Sequence, residues 1–264
     1  MDASILPFPG ASRSEVAWNR LSADALRDLA RRDAVVLLPV GSTEQHGPHL
    51  PTGVDDLLVT AVCRRVAEAL TPDVPVVVAP TVWCGLADHH VGFGGTFTLS
   101  LATFHALLRD LCRSMIDAGF RRIVLVNGHG GNINGLAALA VDLARDFGAA
   151  IATTTYFMEG TAPAAVALED QSGVMHACEA ETSMMMALAP DLVDGSRLAD
   201  AHGPAFDVAA SLLPTLKRVH AWRDVSPSGV AGDARRASAE KGEILLDAHA
   251  GALAARLRAG QPWT

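Results

Sequence analysis

The stretch Ala34-Val-Val-Leu-Leu-Pro-Val40, followed at once by Gly41-Ser-Thr-Glu44-Gln-His46-Gly47, decides the fold. Its apolar run does not alternate, is too short for a helix and stops at a glycine, which is the pattern of a strand buried on both faces in a parallel sheet. The same pattern returns at residues 74–79, 122–126 and 149–155. Between these runs the spacing of apolar residues predicts amphipathic helices over 57–70, 101–118, 133–147 and 179–188. A short capped helix is expected over 22–32 and a long one over about 236–258. Strands alternating with helices give an α/β protein with a mostly parallel sheet covered on both faces. One domain is expected over residues 1–264, with an irregular, ordered stretch from about 194 to 235.

In open α/β sheets, ligands collect at the carboxyl ends of the strands. The residues there are chemically loaded. The first strand leads to Glu44 and His46, and the second to Asp88-His89-His90. The third leads to Asn127-Gly-His129-Gly-Gly-Asn132, and the fourth runs through Tyr156-Phe157 toward His176-Ala-Cys-Glu179-Ala-Glu181. Glu44 and His46 stand two apart in extended chain, so both can face one ion. Asp55 returns after a turn containing Pro48, Pro51 and Gly53, and His129 sits where small neighbours permit close approach. Imidazole nitrogens with carboxylate oxygens suit zinc, manganese or iron(II) better than calcium or magnesium. His105 and His249 lie on predicted helices without an acidic partner one turn away, and read as structural.

Composition removes other classes. Half of the 264 residues are hydrophobic, 19% are charged and the formal net charge is −8. With no Lys/Arg cluster, nucleic acid is not an expected partner. No uninterrupted apolar stretch of about eighteen residues exists, so no membrane span is expected. Residues 1–7 lack the basic start and apolar run of a signal peptide. Cys63, Cys84, Cys112 and Cys178 form no Cys-x-x-Cys pair and read as reduced, buried thiols, in keeping with a cytoplasmic location.

Leu38-Pro-Val-Gly-Ser-Thr-Glu-Gln-His-Gly-Pro-His-Leu-Pro51 followed by Asp55 resembles the opening motif of the creatininase (creatinine amidohydrolase) family. Asn127–Asn132 and His176–Ser183 resemble its second and third motifs, and Phe93-Gly-Gly-Thr96 its Phe-Pro-Gly-Thr segment with Gly94 in place of proline. Gly229–Asp233 and Ala237–Gly242 resemble its C-terminal pattern. The resemblance implies a three-layer α/β/α sandwich, two divalent ions per chain and hydrolysis of amide-type C–N bonds. It implies that Glu44 holds one ion, His46 the other, that Asp55 bridges them and that His129 completes the first site. Creatininase has a ligating Glu where this chain has Gly131, and many relatives with Gly there carry a Glu at the place of Glu179. Glu179 is therefore expected to supply the missing carboxylate, and His176 matches the catalytic histidine. The family further implies a homo-oligomer, commonly a homohexamer.

Creatininase closes over its substrate with tryptophans, one of them where this chain has Ser172-Gly173 and the other near Tyr156-Phe157. Creatinine is accordingly disfavoured, and His89, His90, Tyr156 and Phe157 are the expected pocket residues for a small amide. The alternatives within the family are a peptidase or a deformylase of cofactor biosynthesis. From another class, the 128–135 loop faintly suggests a nucleotide- or anion-binding module, but the third glycine of the dinucleotide spacing falls on Ile133. Glu181, Asn127 and Asn132 read either as supports for ligands or as helix-end and turn residues.

Overall fold

Strand β1 (Val35–Val40) is buried along its whole length and lies inside a four-stranded sheet. It pairs in parallel with β2 (Val76–Val78) on one side and β3 (Arg122–Asn127) on the other, and β3 pairs in parallel with β4 (Ile151–Thr155). The order is β2-β1-β3-β4. The computed structural model describes residues 15–264 apart from 72, 213–215 and 217; the leader reading of residues 1–7 lies outside them. β2 is shorter than the apolar run that predicts it, because Pro75 and Pro80 bracket it and neither can donate to a ladder. β4 begins after a 3-10 turn at Gly148–Ala150 and is only partly covered, as an edge strand should be.

Alternate residues of the strands feed two separate cores, the direct result of a period of two. Val35, Leu37, Val124 and Val126 pack with helices α2 (Val54–Leu70), α6 (Glu179–Leu188) and α9 (Ala239–Arg258). Val36, Leu38, Ile123 and Leu125 pack on the opposite face with α3 (Leu101–Asp117) and α4 (Ile133–Phe147). Helix α1 (Ala23–Arg31), capped by the Ser22 side chain, lends Leu26, Leu29 and Ala30 to that second core. This is the three-layer α/β/α sandwich. The connection after β4 holds a further helix, α5 (Thr161–Ala167), and the stretch expected to be irregular contains two short ones, α7 (Val208–Leu212) and α8 (Trp222–Val225). No helix among the described residues is long and apolar enough to cross a membrane. The four cysteines are free and buried.

β1 is followed by β2 on one side and β3 on the other, so the chain reverses direction across the sheet at the β1–β3 boundary. The crevice beyond the carboxyl ends of these two strands is where such sheets bind ligands.

His249 shows how a buried imidazole serves the fold alone. It lies on α9 and is 1% exposed; its Nδ1 donates to the Glu159 carbonyl at 2.7 Å while Nε2 has no partner. Burial holds its pKa below the usual histidine value. Below about pH 6.5 the unfolded chain binds a proton that the native ring resists, so this contribution to stability is intact above that pH and lost as pH falls. Urea unfolding between about pH 7 and about pH 5 should therefore lose stability more steeply in the wild type than in His249→Gln. Equal slopes would contradict this assignment.

Candidate active site

Past β1 the chain runs along the sheet edge, and Gly41 lets it pass α2: a Cβ there would lie 2.2 Å from Asp56 Oδ1. Glu44 and His46 follow, both fully buried. Asp55 is in the first turn of α2, where the helix N-terminus favours a carboxylate. His129 comes from the loop after β3, and His176 from the loop before α6. All five meet in the crevice.

The contacts fall into two groups that share Asp55. Its Oδ2 lies 3.1 Å from His129 Nδ1, which is 3.2 Å from Glu44 Oε1. Its Oδ1 lies 3.3 Å from His46 Nε2, which is 3.8 Å from Glu181 Oε2. Backbone carbonyls set the histidine tautomers. His46 Nδ1 donates to the Glu44 carbonyl at 3.0 Å, and His129 Nε2 to the Leu86 carbonyl at 3.2 Å. In the neutral ring the nitrogen left facing the carboxylates carries a lone pair, open to a metal ion or, without one, a proton. Glu44 Oε1, His46 Nε2 and Asp55 Oδ2 are buried without any hydrogen-bond partner. Buried oxygen and nitrogen lone pairs converging without a donor between them are costly unless a cation sits among them. The residues fit divalent metal.

Electrostatics agree. Burial alone would lower the pKa of His46, yet Asp55, Glu181 and Glu44 raise it to about 10. Burial, with Asp55 nearby, lifts Glu181 to about 8 despite the opposing pull of His46. Carboxylates and imidazoles here compete for protons in space that a metal ion would neutralise.

Glu179 does not join this group. Its buried carboxylate accepts from Lys241 Nζ of α9 at 2.5 Å and from the backbone amides of Glu169 and Asp170. Residues two apart on a helix are rotated by about 200°, so Glu179 and Glu181 leave opposite sides of α6. Glu181 instead faces His46, and its Oε2 also accepts from the Ala177 amide at 2.6 Å, holding Ala177 at φ 50. The sequence held the deciding signal in the helical phase of the two glutamates. Gly131 cannot carry a ligand either: a Cβ there would sit 2.4 Å from both His129 Nε2 and the Leu86 carbonyl oxygen.

His176 is 13% exposed in its side chain, with Nε2 donating to the Gln45 carbonyl at 2.7 Å and Nδ1 3.4 Å from Glu44 Oε1. Burial, with His46 and His90 close by, holds its pKa well below the usual value. Its ring lies between those of His46 and His90, at 4.2 and 4.1 Å. Asn127 braces His129 through both the amide and the carbonyl of that residue. Asn132 makes no cap and ties the Gly41 carbonyl to the Leu86 amide.

A cavity of about 400 Å³ opens over this cluster. Phe157, His89 and His90 line it, as expected from sequence. Tyr156 does not: its ring is turned into the core against Phe157 and His249. The 3-10 turn at Tyr156–Met158 sends the neighbouring side chains to different sides. His49 is also withdrawn, bonded to Thr182 Oγ1 at 2.7 Å. His105 bonds the Gly135 carbonyl, a structural role like that of His249. Sequence reading missed Trp222, whose indole closes the cavity 5.8 Å from the rings of both His90 and His176. An aromatic residue inside an otherwise polar, irregular stretch was the available signal.

The sequence matches the family described as creatinine amidohydrolase over residues 19–257. The chain belongs to the creatininase family. It is 36% identical over 244 residues to the mycofactocin precursor peptide peptidase of Mycolicibacterium smegmatis, covering 92% of each chain. It is 34% identical over 252 residues to the creatinine amidohydrolase of Pseudomonas putida, covering 88% of this chain and 90% of the relative. A solved structure named Creatininase Mn matches with a TM-score of 0.77 at 31% identity, over 94% of this chain and 100% of that one. This creatininase-family hydrolase thus carries buried His/Glu/Asp clusters able to hold metal in a sandwich shared with a manganese creatininase.

Proposed function

We propose that the chain is a two-metal hydrolase of an amide-type C–N bond. Glu44, Asp55 and His129 would hold one divalent ion, and His46, Asp55 and Glu181 the other, with Asp55 between them. The observation that carries this reading is the set of buried, donor-less ligand atoms on Glu44, His46 and Asp55. Zinc, manganese and iron(II) suit such nitrogen and oxygen donors. Divalent ions supply Lewis acidity there, polarising a carbonyl and acidifying water near neutral pH. His176, whose Nε2 donates to the Gln45 carbonyl and whose Nδ1 is left with a lone pair, would take the proton of the attacking water and hand it to the leaving nitrogen. Glu181, with its Oε2 3.8 Å from His46 Nε2, would serve as a ligand, and Glu179 would anchor the loop that presents His176.

The substrate is read as a small amide or the end of a peptide. A peptide is favoured by the named activity of the M. smegmatis relative. A nucleotide-binding role for the 128–135 loop draws no support, since His129 turns into the cluster and Gly131 lies against Leu86. The test is a screen of lactams, cyclic ureides, formamides and short peptides with manganese- or zinc-loaded protein. One class should be hydrolysed, and a chelator should stop the reaction. Turnover of none, or turnover indifferent to chelator, would overturn the proposal.

A further inference from the structure

We propose that the substrate carries a carboxylate and that Arg218 binds it at the mouth of the cavity, an inference resting on the amide-hydrolase reading above. Among the described residues Arg218 is the one lysine or arginine lining the cavity, and it is exposed. Most described arginines are tied to acids: Arg65 to Glu243 and Asp247, Arg256 to Glu159, Arg258 to Asp73. Arg218 has no ion-pair partner among the described residues, although the exposed Asp88 lines the same cavity.

Charge sharpens the point. Four carboxylates line the cavity, those of Glu44, Asp55, Asp88 and Glu181. With two divalent ions bound, these four carboxylates and Arg218 together leave the described lining one positive charge in excess. An anionic group on the substrate supplies its counterpart. The wall that carries Arg218 is fixed nearby: Trp222 Nε1 donates to the Gly229 carbonyl at 3.0 Å, and the indole stacks on Phe206 at 5.5 Å. A single guanidinium fork matches a carboxylate in bidentate fashion and in charge, one positive against one negative. With Trp222 as an apolar wall, the chemistry fits an amide bearing an aromatic or aliphatic group and a free carboxylate. Either a small acylamino acid or the C-terminus of a peptide provides that.

Titration calorimetry on metal-loaded protein tests this with two matched pairs: hippurate against hippuramide, and benzoyl-triglycine as free acid against its C-terminal amide. The wild type should bind at least one acid about tenfold more tightly than its amide, and Arg218→Gln should erase the preference without altering metal content. A preference confined to the first pair identifies a small acid; one confined to the second identifies a peptide end. Equal binding of acid and amide by the wild type, no binding of either, or a preference that survives Arg218→Gln overturns the proposal; survival would place the carboxylate on metal. Cleavage is scored separately. If no amide is cut yet the Arg218-dependent preference holds, the amide-hydrolase reading fails and this one stands. Cutting without preference gives the reverse.

Discussion

Glu181→Gln should remove about one of two bound divalent ions and lower hydrolysis at least a hundredfold, while Glu179→Gln should keep both ions and lose about 2–3 kcal/mol of folding stability. The contrast comes from helical phase. Glu181 reaches toward His46 Nε2 at 3.8 Å, inside a buried group with Asp55. Removing even a support of a metal ligand typically costs about 10- to 100-fold in affinity, and removing a ligand costs more. Glu179 is equally buried but spends its charge on Lys241 and two loop amides. Breaking one partner of a buried ion pair costs about 3–5 kcal/mol, and the partial exposure of Lys241, 16% of its side chain, places this one at or below the lower end. Elemental analysis and urea unfolding of the two variants separate the roles. Equal metal loss in both, or loss only in Glu179→Gln, would return the ligand role to Glu179.

His176→Ala should leave metal content unchanged and slow turnover about 10²- to 10⁴-fold, the usual contribution of a positioned general acid or base. The ring offers one nitrogen to the cavity side and fixes the other on the Gln45 carbonyl. Burial beside His46 and His90 holds its pKa low, and with Nε2 donating to Gln45 the lone pair lies on Nδ1. Neither of the two carboxylate–imidazole groups built on Asp55 requires it, which is why metal should remain. A variant with full activity would remove the role; one that also loses metal would make His176 a ligand.

The fold was legible because a parallel sheet buried on both faces writes itself as short apolar runs. The runs at 34–40 and 122–126 became β1 and β3 almost residue for residue. Prolines trimmed β2, and α5 went unforeseen because a seven-residue helix with Pro163 gives little periodicity. The candidate cluster was legible because Glu44, His46 and His129 closely follow strand ends, which converge, while Asp55 opens the helix that returns after β1. Glu179 was expected in the cluster from its motif position, but helical rotation turns it toward Lys241 and the loop amides, and we propose Glu181 in its place. Tyr156 and Phe157 were read as a pair, but a 3-10 turn separates adjacent side chains. Trp222 and Arg218 reach the cavity from a stretch with no periodic pattern, so only the tertiary path of the chain brings them there.

We propose the buried cluster around Asp55 as a two-metal site. Elemental analysis of protein purified without chelator, then exposed to excess zinc or manganese and desalted, measures it directly. About two divalent ions per chain are expected, falling to about one in Glu181→Gln. A chain that retains no metal after this treatment would contradict it.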